Sequence, residues 1–471
     1  MNALALHRRT EAMIPGTIAA SAAVLLLPPP VVVALAMTAL MLAAGMFRPA
    51  IGLGLIAVTI PVQEAVTVAI GPVSMTLTRL ALLPFLVGWG ILWLNRRAEI
   101  RLTPPIVAWF LLLAALVASF PAAVDRIAWA EEVYRWSAAF AIYVVASDVM
   151  KRAENARPLL IGSASGIVLA SLAGIGQIAT AAGPASFQAN GLTRVYAFFG
   201  EPNPFAAYLE MTLPLLIAIS LPWLIGRHPG LFGRTGMVLL AAIAAVGSLM
   251  LLLTQSRGGY LGFGASLVAI GLLSGQRSRI LTLASLVVLA LLVTFTPPGR
   301  FAAQRFTSSV AVFNTGEEVT VENWSVQERV AHWRAGLQML RDKPWTGVGA
   351  GNFNQRYREY TQVWRFRIPR GHAHNNEIQM GAQSGYTGLI AYLALLFTVG
   401  ARILRGMRRT TLAGARALAI GAFGVFIAVL VHGQFDYLHG LSLSIAFALA
   451  LACAEPAATT PVAARERMTA S

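Results

Sequence analysis

The sequence predicts an all-α polytopic membrane protein with about 12–14 transmembrane helices and one long polar loop that contains amphipathic helices. The first observation is composition. Of the 471 residues, 57% are hydrophobic and 12% charged, whereas soluble domains carry about 25% charged residues. The second is a series of apolar runs near the length that crosses a bilayer. The third is a polar segment near 297–376 that interrupts the series.

The apolar runs divide the chain. They fall near 13–28, 30–47, 50–70, 74–95, 104–121, 129–148, 158–181, 203–224, 235–254, 257–274, 279–296, 377–402, 413–433 and 438–454. The first two are short enough to form one hairpin or a broken helix. We therefore predict an N-terminal bundle (1–296), a loop domain (297–376), C-terminal transmembrane helices (377–454) and a cytoplasmic tail (455–471).

The net charge of +16 and the single cysteine exclude several classes of protein. The basic residues are scattered between apolar runs and form no stripe, which argues against a nucleic-acid partner. All but two of them are arginine. A GC-rich genome explains this, and so does phosphate binding by guanidinium groups; both remain open. Cys453 alone excludes a disulfide framework and a cysteine metal site.

Basic clusters at alternate connections predict the orientation. They are His7-Arg8-Arg9, Arg96-Arg97-Arg101, Lys151-Arg152, Arg227 with Arg234, Arg277 with Arg279, Arg405-Arg408-Arg409, and Arg465 with Arg467. The positive-inside rule places these in the cytoplasm. The 297–376 loop then lies outside. We predict a multi-pass protein of the bacterial inner membrane with a site facing the periplasm.

Charged residues inside the apolar runs predict where that site lies. Arg79, Glu131, Glu132, Arg135, Glu210 and Arg257 all fall near the outer ends of their predicted helices. Charges within a membrane are costly and usually functional. Each alone is equally compatible with a snorkelling or paired structural charge. Their shared side predicts a polar cavity open to the periplasmic leaflet.

The connection from Gly183 to Asn203 is predicted to face this cavity and contains Arg194. Asn203 followed by Pro204 is typical of a helix start, with a capping side chain and then proline at the first helical position. Glu201 would stand just above that helix. Its carboxylate would complement the helix dipole or contact a ligand.

The long loop contains a predicted surface helix. Ser325-Val-Gln-Glu328 has the pattern of a capping box. An apolar stripe follows at helical spacing, formed by Val326, Val330, Trp333, Leu337 and Leu340. Arg329 and His332 lie off that stripe. We read the glycine-rich stretch 347–351 as a turn that lets a second surface helix, from Phe353 to about Trp364, fold back. Its glycines lack the Gly-Lys-Ser/Thr ending of a nucleotide-binding loop.

The stretch Arg370-Gly-His-Ala-His-Asn-Asn-Glu377 ends this loop. Asn375 or Asn376 is a plausible cap for the next helix, whose N-terminus would attract an anion. His374 could accept a proton from a hydroxyl. Fork-shaped donors for a diphosphate are available from Arg370, Arg257, Arg329, Arg194 and Arg79. This set fits glycosyl transfer from a lipid diphosphate to a sugar hydroxyl. A hydrogen-bonded structural histidine remains the alternative for His374.

His372, His374 and Glu377 superficially resemble a cluster of metal ligands. The spacing differs from His-Glu-x-x-His, and no companion set of histidines or cysteines follows. Arginines can balance the charge of a diphosphate leaving group. We therefore predict no metal and no other cofactor.

Several motifs occur in an order that resembles one known family. They are Ser256-Arg257-Gly258-Gly259, Arg329 followed by Trp333, Pro344-Trp-Thr-Gly-Val-Gly-Ala-Gly-Asn-Phe353, His374-Asn375 and Gly385-Tyr-Thr-Gly-Leu389. The order resembles the O-antigen ligase and polymerase superfamily of bacterial inner-membrane glycan transferases. The resemblance implies about twelve spans and metal-independent transfer from undecaprenyl diphosphate. It also implies that His374 is the catalytic histidine and that Arg257 and Arg329 bind the diphosphate.

The remaining candidate residues are assigned to substrate binding. They are Arg194, Glu201, Arg370, His372, Asn375, Arg79 and Arg135. The resemblance favours an O-antigen ligase, with undecaprenyl diphosphate-linked O-antigen as donor, lipid A–core oligosaccharide as acceptor, and membrane lipids around both. The short tail after residue 454 favours the ligase over an O-antigen polymerase or a protein O-oligosaccharyltransferase. A transporter or flippase is the alternative of another class. It fits poorly, because transporter sites lie near the bilayer midplane.

Overall fold

A computed structural model describes residues 29–63, 67–70, 73–189, 192–224, 230–296, 323–361 and 363–459. The apolar run 13–28, the cluster His7-Arg8-Arg9, Arg227, and the tail with Arg465 and Arg467 lie outside these residues. The helices are α1 (Pro29–Phe47), α2 (Pro49–Val62), α3 (Leu77–Leu94), α4 (Pro104–Ala118), α5 (Arg126–Val149), α6 (Arg157–Thr180), α7 (Pro202–Leu224), α8 (Arg234–Leu253), α9 (Arg257–Leu273), α10 (Gln276–Phe295), α11 (Trp324–Asp342), α12 (Phe353–Tyr360), α13 (Asn376–Arg409), α14 (Ala413–His432), α15 (Leu441–Ala452) and α16 (Glu455–Thr459).

Eight helical stretches of the described chain are long and apolar enough to cross a membrane, and three apolar helices are shorter. The all-α polytopic class is therefore confirmed. The number of 12–14 spans stays a prediction. Two short antiparallel hairpins interrupt the helices: β1 (Thr67–Ile70) with β2 (Val73–Thr76), and β3 (Gln188–Ala189) with β4 (Leu192–Thr193). β1 and β2 shorten two predicted apolar runs, because valine, isoleucine and threonine beside Gly71-Pro72 favour extended chain.

The charges predicted near the outer ends of the spans gather at one end of the bundle. Arg79 is in the first turn of α3, and Arg257 begins α9. Glu210 on α7 is buried and pairs with His432, whose Nδ1 lies 2.9 Å from Glu210 Oε2. This pair links α7 to the end of α14. For Glu210, a paired structural charge is thus the simpler interpretation.

The predicted cytoplasmic clusters lie at the opposite end. Lys151 Nζ lies 2.5 Å from Asp148 Oδ1 and 3.7 Å from Glu99 Oε2, which joins the end of α5 to the α3–α4 connection. Arg402 binds Glu455 with two hydrogen bonds of 2.7 and 2.6 Å. Glu455 belongs to α16, so the predicted tail begins inside the packed bundle rather than in solvent.

The predicted start of α7 is wrong by two residues. The helix begins at Pro202, and Asn203 lies in its first turn instead of capping it. Proline tolerates the first helical position because the helix needs no N–H there, so Pro202 rather than Pro204 takes that place. The Asn203 side chain is therefore not used to cap the helix. Its Nδ2 donates to Asp436 Oδ2 at 3.0 Å.

The predicted capping box of α11 is also wrong. The cap is Asn323, without a side-chain cap bond, and Ser325 already lies inside the helix. A capping side chain must precede the first helical residue, so a shift of two positions removes the motif. Glu328 instead binds Arg370, whose Nε lies 3.0 Å from Glu328 Oε1.

The buried face of α11 differs from the predicted apolar stripe. It consists of Ala331, His332, Ala335, Gly336, Met339 and Leu340. Leu337 is 41% exposed, while His332, expected off the stripe, is fully buried. The reason is close packing on α13: a Cβ added to Gly336 would lie 2.6 Å from the side chain of Ile378. Small residues permit this approach, so they replace the bulky ones at the contact.

The glycine-rich stretch 347–351 is a turn, as predicted, but packing explains its composition. Gly347, Gly349 and Gly351 all have positive φ, which favours glycine. A Cβ on Gly349 would lie 2.6 Å from the Ala123 backbone, and one on Gly351 2.3 Å from the Ala128 carbonyl oxygen. The stretch is thus held against the α4–α5 turn. The surface helix α12 that follows ends at Tyr360, short of the predicted Trp364.

Helix α13 is broken at Gly385, where φ is +68° and ψ −167°. The break frees backbone groups for the glycine-rich turn. The Val348 N–H donates to the Ala382 carbonyl at 2.8 Å, and the Tyr386 N–H donates to the Pro344 carbonyl at 2.7 Å. The sequence predicted an uninterrupted span here. The broken helix joins the polar loop to the membrane bundle just below His374.

Candidate active site

His374 lies immediately before α13. Of the two predicted caps, Asn375 is the one that caps this helix, and its side-chain oxygen accepts from the Ile378 N–H at 2.8 Å. His374 has a φ of +54°, a conformation that histidine adopts more readily than most residues. Trp333 Nε1 donates to the His374 carbonyl at 3.2 Å. Both α11 and α13 therefore fix the backbone of this histidine.

Asp436 is the direct partner of the His374 ring. His374 Nδ1 lies 3.2 Å from Asp436 Oδ1. The carboxylate also accepts from Asn203 at Oδ2 and from the Tyr437 N–H at Oδ1, the latter at 2.9 Å. A carboxylate can only accept, so Nδ1 carries the proton and the lone pair is on Nε2. This is the orientation that a general base requires.

Sequence reasoning missed Asp436. It lies in the short connection between α14 and α15, and it is 8% exposed. Burial by itself would raise its pKa. The hydrogen bond from His374 and the electrostatic effect of the nearby histidines outweigh burial and hold the pKa of Asp436 far below its usual range. A lone acid between two apolar helices was the available signal, and such acids are costly unless they have a partner.

Two more histidine rings flank His374. The ring centroids of His372 and His332 lie 4.4 and 5.4 Å from that of His374. Burial lowers the pKa of both flanking rings, and for His332 the value falls to about 4. Neither ring is therefore protonated near neutral pH. His332 Nδ1 lies 2.7 Å from the Glu328 carbonyl oxygen, which holds its ring in place.

His372, His374 and Asp436 place their donor atoms within 4.8 Å of one another, so they could hold a metal ion. The hydrogen bonds argue against this use. The His374 N–H donates to His372 Nδ1 at 3.2 Å, so the proton of neutral His372 is on Nε2, which faces Asp436. A metal bound at Nε2 would move that proton to Nδ1, where it would point at the His374 N–H and break the hydrogen bond between them. Glu377, the third ligand considered from sequence, accepts from Gln434 instead.

Three of the predicted arginines are electrostatically coupled, and one of them contacts the segment that carries Asp436. Arg329 Nε donates to the Phe435 carbonyl at 2.9 Å, one residue before Asp436. Arg194 Nε donates to the Thr254 carbonyl at 3.0 Å, three residues before Arg257. Burial lowers the pKa of Arg194. The nearby Tyr260 and Glu201 act in the opposite direction, whereas the charges of Arg257 and Arg329 lower this pKa further. Arg194, Arg257, Arg329 and Glu201 thus share one electrostatic environment.

The other predicted binding residues have partners elsewhere. Arg370 is half exposed and pairs with Glu328. The Arg79 guanidinium lies 6.0 Å from the ring centroid of Tyr134. Arg135 Nη2 lies 2.6 Å from Glu132 Oε2. Arg370 closes the loop above the cluster, whereas Arg79 and Arg135 belong to the α3–α5 side of the bundle.

Part of this site lies in a segment that is similar to a known protein family. Residues 240–393 match the model of the family described as O-antigen ligase, and no curated protein sequence matches the chain. The matched segment contains Arg257, Arg329 and His374. Asp436 and Asn203 come from outside it. The chain is therefore similar to the O-antigen ligase family over residues 240–393.

Proposed function

We propose that the protein is an O-antigen ligase of the bacterial inner membrane. It would transfer O-antigen polysaccharide from undecaprenyl diphosphate to lipid A–core oligosaccharide at the periplasmic face. The observation that carries this proposal is the His374–Asp436 pair, with Arg329 bonded to the residue before Asp436 and electrostatically coupled to a second predicted arginine, Arg194. The family match supports the same chemistry, because it covers His374, Arg257 and Arg329.

His374 would act as the general base. Asp436 holds the ring with its proton on Nδ1, so Nε2 can take the proton of the acceptor hydroxyl. The charge that develops on the imidazole is then balanced by the carboxylate 3.2 Å away. The arrangement is the same in principle as the histidine–aspartate pair of serine hydrolases.

Arg194, Arg257 and Arg329 would bind the diphosphate of the donor. In the transfer step, the acceptor oxygen forms a bond to the anomeric carbon while the bond from that carbon to the phosphate oxygen breaks. The proton goes to His374, and the electron pair leaves with undecaprenyl diphosphate. The growing negative charge of the leaving group is stabilised by guanidinium groups already in position.

The orientation is the first testable part. We expect Arg358→Cys on α12 to react with a membrane-impermeant thiol reagent in cells permeable only at the outer membrane. Arg97→Cys, at the opposite end of the bundle, should react only after the inner membrane is broken. Both positions are exposed, and the natural Cys453 is buried. The reverse labelling pattern would invert the topology.

Arg257→Lys and Arg329→Lys are each expected to reduce transfer. Arg329 uses Nε and Nη1 for the Phe435 and Ser325 carbonyls, and an ammonium cannot reproduce that fork. Losing one charge-assisted hydrogen bond costs about 1.5–3 kcal/mol, or about 10- to 100-fold in rate. Initial rates per folded protein give the measurement. Arg358→Lys is the matched control. Unchanged rates for both Arg257→Lys and Arg329→Lys would show that these arginines are simple surface charges and do not bind the diphosphate.

Divalent metal is expected to be dispensable. In both His372 and His374, the ring nitrogen that faces Asp436 already carries the proton, so it has no lone pair for a metal. Transfer should therefore be unchanged after dialysis against a chelator, and added Zn²⁺ or Mg²⁺ should not raise the rate. Activity that is lost with the chelator and recovered with one metal would contradict this prediction.

The direct test is to incubate the purified protein with lipid-linked O-antigen and lipid A–core. Formation of a covalent conjugate, resolved by gel electrophoresis and mass spectrometry, is the expected result. Longer lipid-linked chains without a conjugate would identify a polymerase, and glycosylated protein an oligosaccharyltransferase. Movement of the donor across vesicles without transfer would favour a flippase.

A further inference from the structure

A second buried carboxylate, Glu132 on α5, lies beside the candidate site and has no part in the transfer step above. Its side chain is 2% exposed. Oε1 accepts from the Tyr437 hydroxyl at 2.6 Å, from Trp136 Nε1 at 3.1 Å and from Gln383 Nε2 at 3.2 Å. Oε2 pairs with Arg135 at 2.6 Å. Four donors therefore fix one orientation of this carboxylate.

The first chain of hydrogen bonds from Glu132 reaches Asp436. The Tyr437 hydroxyl binds Glu132, and the Tyr437 backbone N–H donates to Asp436 Oδ1 at 2.9 Å. One residue thus connects the two carboxylates. Because both of its polar ends are occupied, the position of the segment that carries Asp436 depends on α5.

The second chain reaches the other side of the pair. Gln383 binds Glu132 through Nε2 and accepts from Gln379 Nε2 at 3.3 Å. Gln379 Oε1 then accepts from the Ala373 N–H at 2.8 Å. Ala373 immediately precedes His374. The backbone of the histidine and that of the aspartate are therefore tied to the same carboxylate.

We propose that Glu132 is a positioning residue that sets the distance between His374 and Asp436. The proposal rests on the transfer function proposed above. A misplacement of about 1 Å can cost about 100-fold in rate. Satisfied buried polar groups hold such geometry, and both oxygens of Glu132 have partners. The ion pair of Glu132 with Arg135 adds no net charge beside the site.

The test compares Glu132→Gln and Tyr437→Phe with the unaltered protein. Glu132→Gln keeps the size of the side chain but replaces one carboxylate oxygen by an NH2 group, which faces either Arg135 or the three donors at Oε1, so a donor meets a donor in either orientation. We expect kcat to fall about 10- to 100-fold, while KM for the lipid-linked donor stays within about twofold because no arginine of the site is touched. Tyr437→Phe breaks only the first chain, and its effect should be smaller.

Glu455→Gln is the matched control. Glu455 is also buried and paired with an arginine, Arg402, but at the opposite end of the bundle. Its loss should lower thermal stability and leave kcat per folded protein unchanged. If this control lowers kcat as much as Glu132→Gln does, the effect is one of general stability and the positioning role is wrong.

Epistasis separates positioning from stability. In an Asp436→Asn background no aspartate remains to be positioned, so adding Glu132→Gln should lower kcat no further. Adding Glu455→Gln should destabilise the protein in either background by the same amount. If Glu132→Gln multiplies the effect of Asp436→Asn, or leaves kcat unchanged in the otherwise unaltered protein, the proposal is overturned.

A readout independent of glycan transfer completes the design. Diethyl pyrocarbonate modifies the nucleophilic nitrogen of a histidine, and peptide mass spectrometry can follow His374 alone. Glu132→Gln should slow this modification several-fold relative to Glu455→Gln, because a loosened Asp436 activates the ring less. Equal rates would refute the positioning role. If the unaltered protein transfers no glycan, the proposed function fails, while these rates still decide the role of Glu132.

Discussion

His374→Ala is expected to abolish detectable glycan transfer, with a loss of about 10²–10⁴-fold, the usual contribution of a general base. The remaining protein should still insert into membranes and bind the lipid diphosphate, because the arginines are untouched. Initial rates of conjugate formation per folded protein are the measurement. Retention of more than about a tenth of the rate would show that the base lies elsewhere.

Two further variants separate chemistry from structure. His374→Asn tolerates the positive φ at this position better than alanine does, yet it cannot accept the proton; it should be as inactive as His374→Ala. His372→Ala should lose much less. Its loss is not expected to be zero, since His372 accepts from the His374 N–H and its Nε2 lies 3.8 Å from Asp436 Oδ1. Equal losses for both alanine variants would contradict the assignment.

Asp436→Asn is expected to lower the rate on the order of 10²–10⁴-fold, comparable to loss of the base itself. An amide can turn its NH₂ toward Nδ1 of His374, which would place the ring proton on Nε2 and remove the lone pair that accepts the proton. The conjugate assay on purified, folded protein measures this effect.

Asp148→Asn is the control for losing a paired aspartate. Asp148 binds Lys151 at the opposite end of the bundle, so its loss should leave the rate per folded protein unchanged. An Asp436→Asn variant that keeps more than about a tenth of the rate would show that the carboxylate only packs beside the histidine.

The sequence by itself determined the class of fold and the local features of the site. Apolar runs near bilayer length require helices, because the backbone must satisfy its own hydrogen bonds in lipid. The Asn375 cap and the glycine-rich turn were also predictable, because a cap depends on residues three positions apart and a turn on local backbone freedom. Arg257 could be selected because a charge at the end of a span is unusual, whereas Arg329 was selected through its motif's resemblance to the family.

Only the tertiary structure decided which residues complete the site. Asp436 is 62 residues from His374, and Tyr437 is 305 residues from Glu132; no local pattern couples such positions. The same holds for the buried face of α11, which is chosen by close packing of Gly336 on α13 rather than by hydrophobic spacing. Propensity and periodicity act within a few helical turns. Contacts between distant segments depend on how the helices pack, so the partner of the histidine appears only in the folded chain.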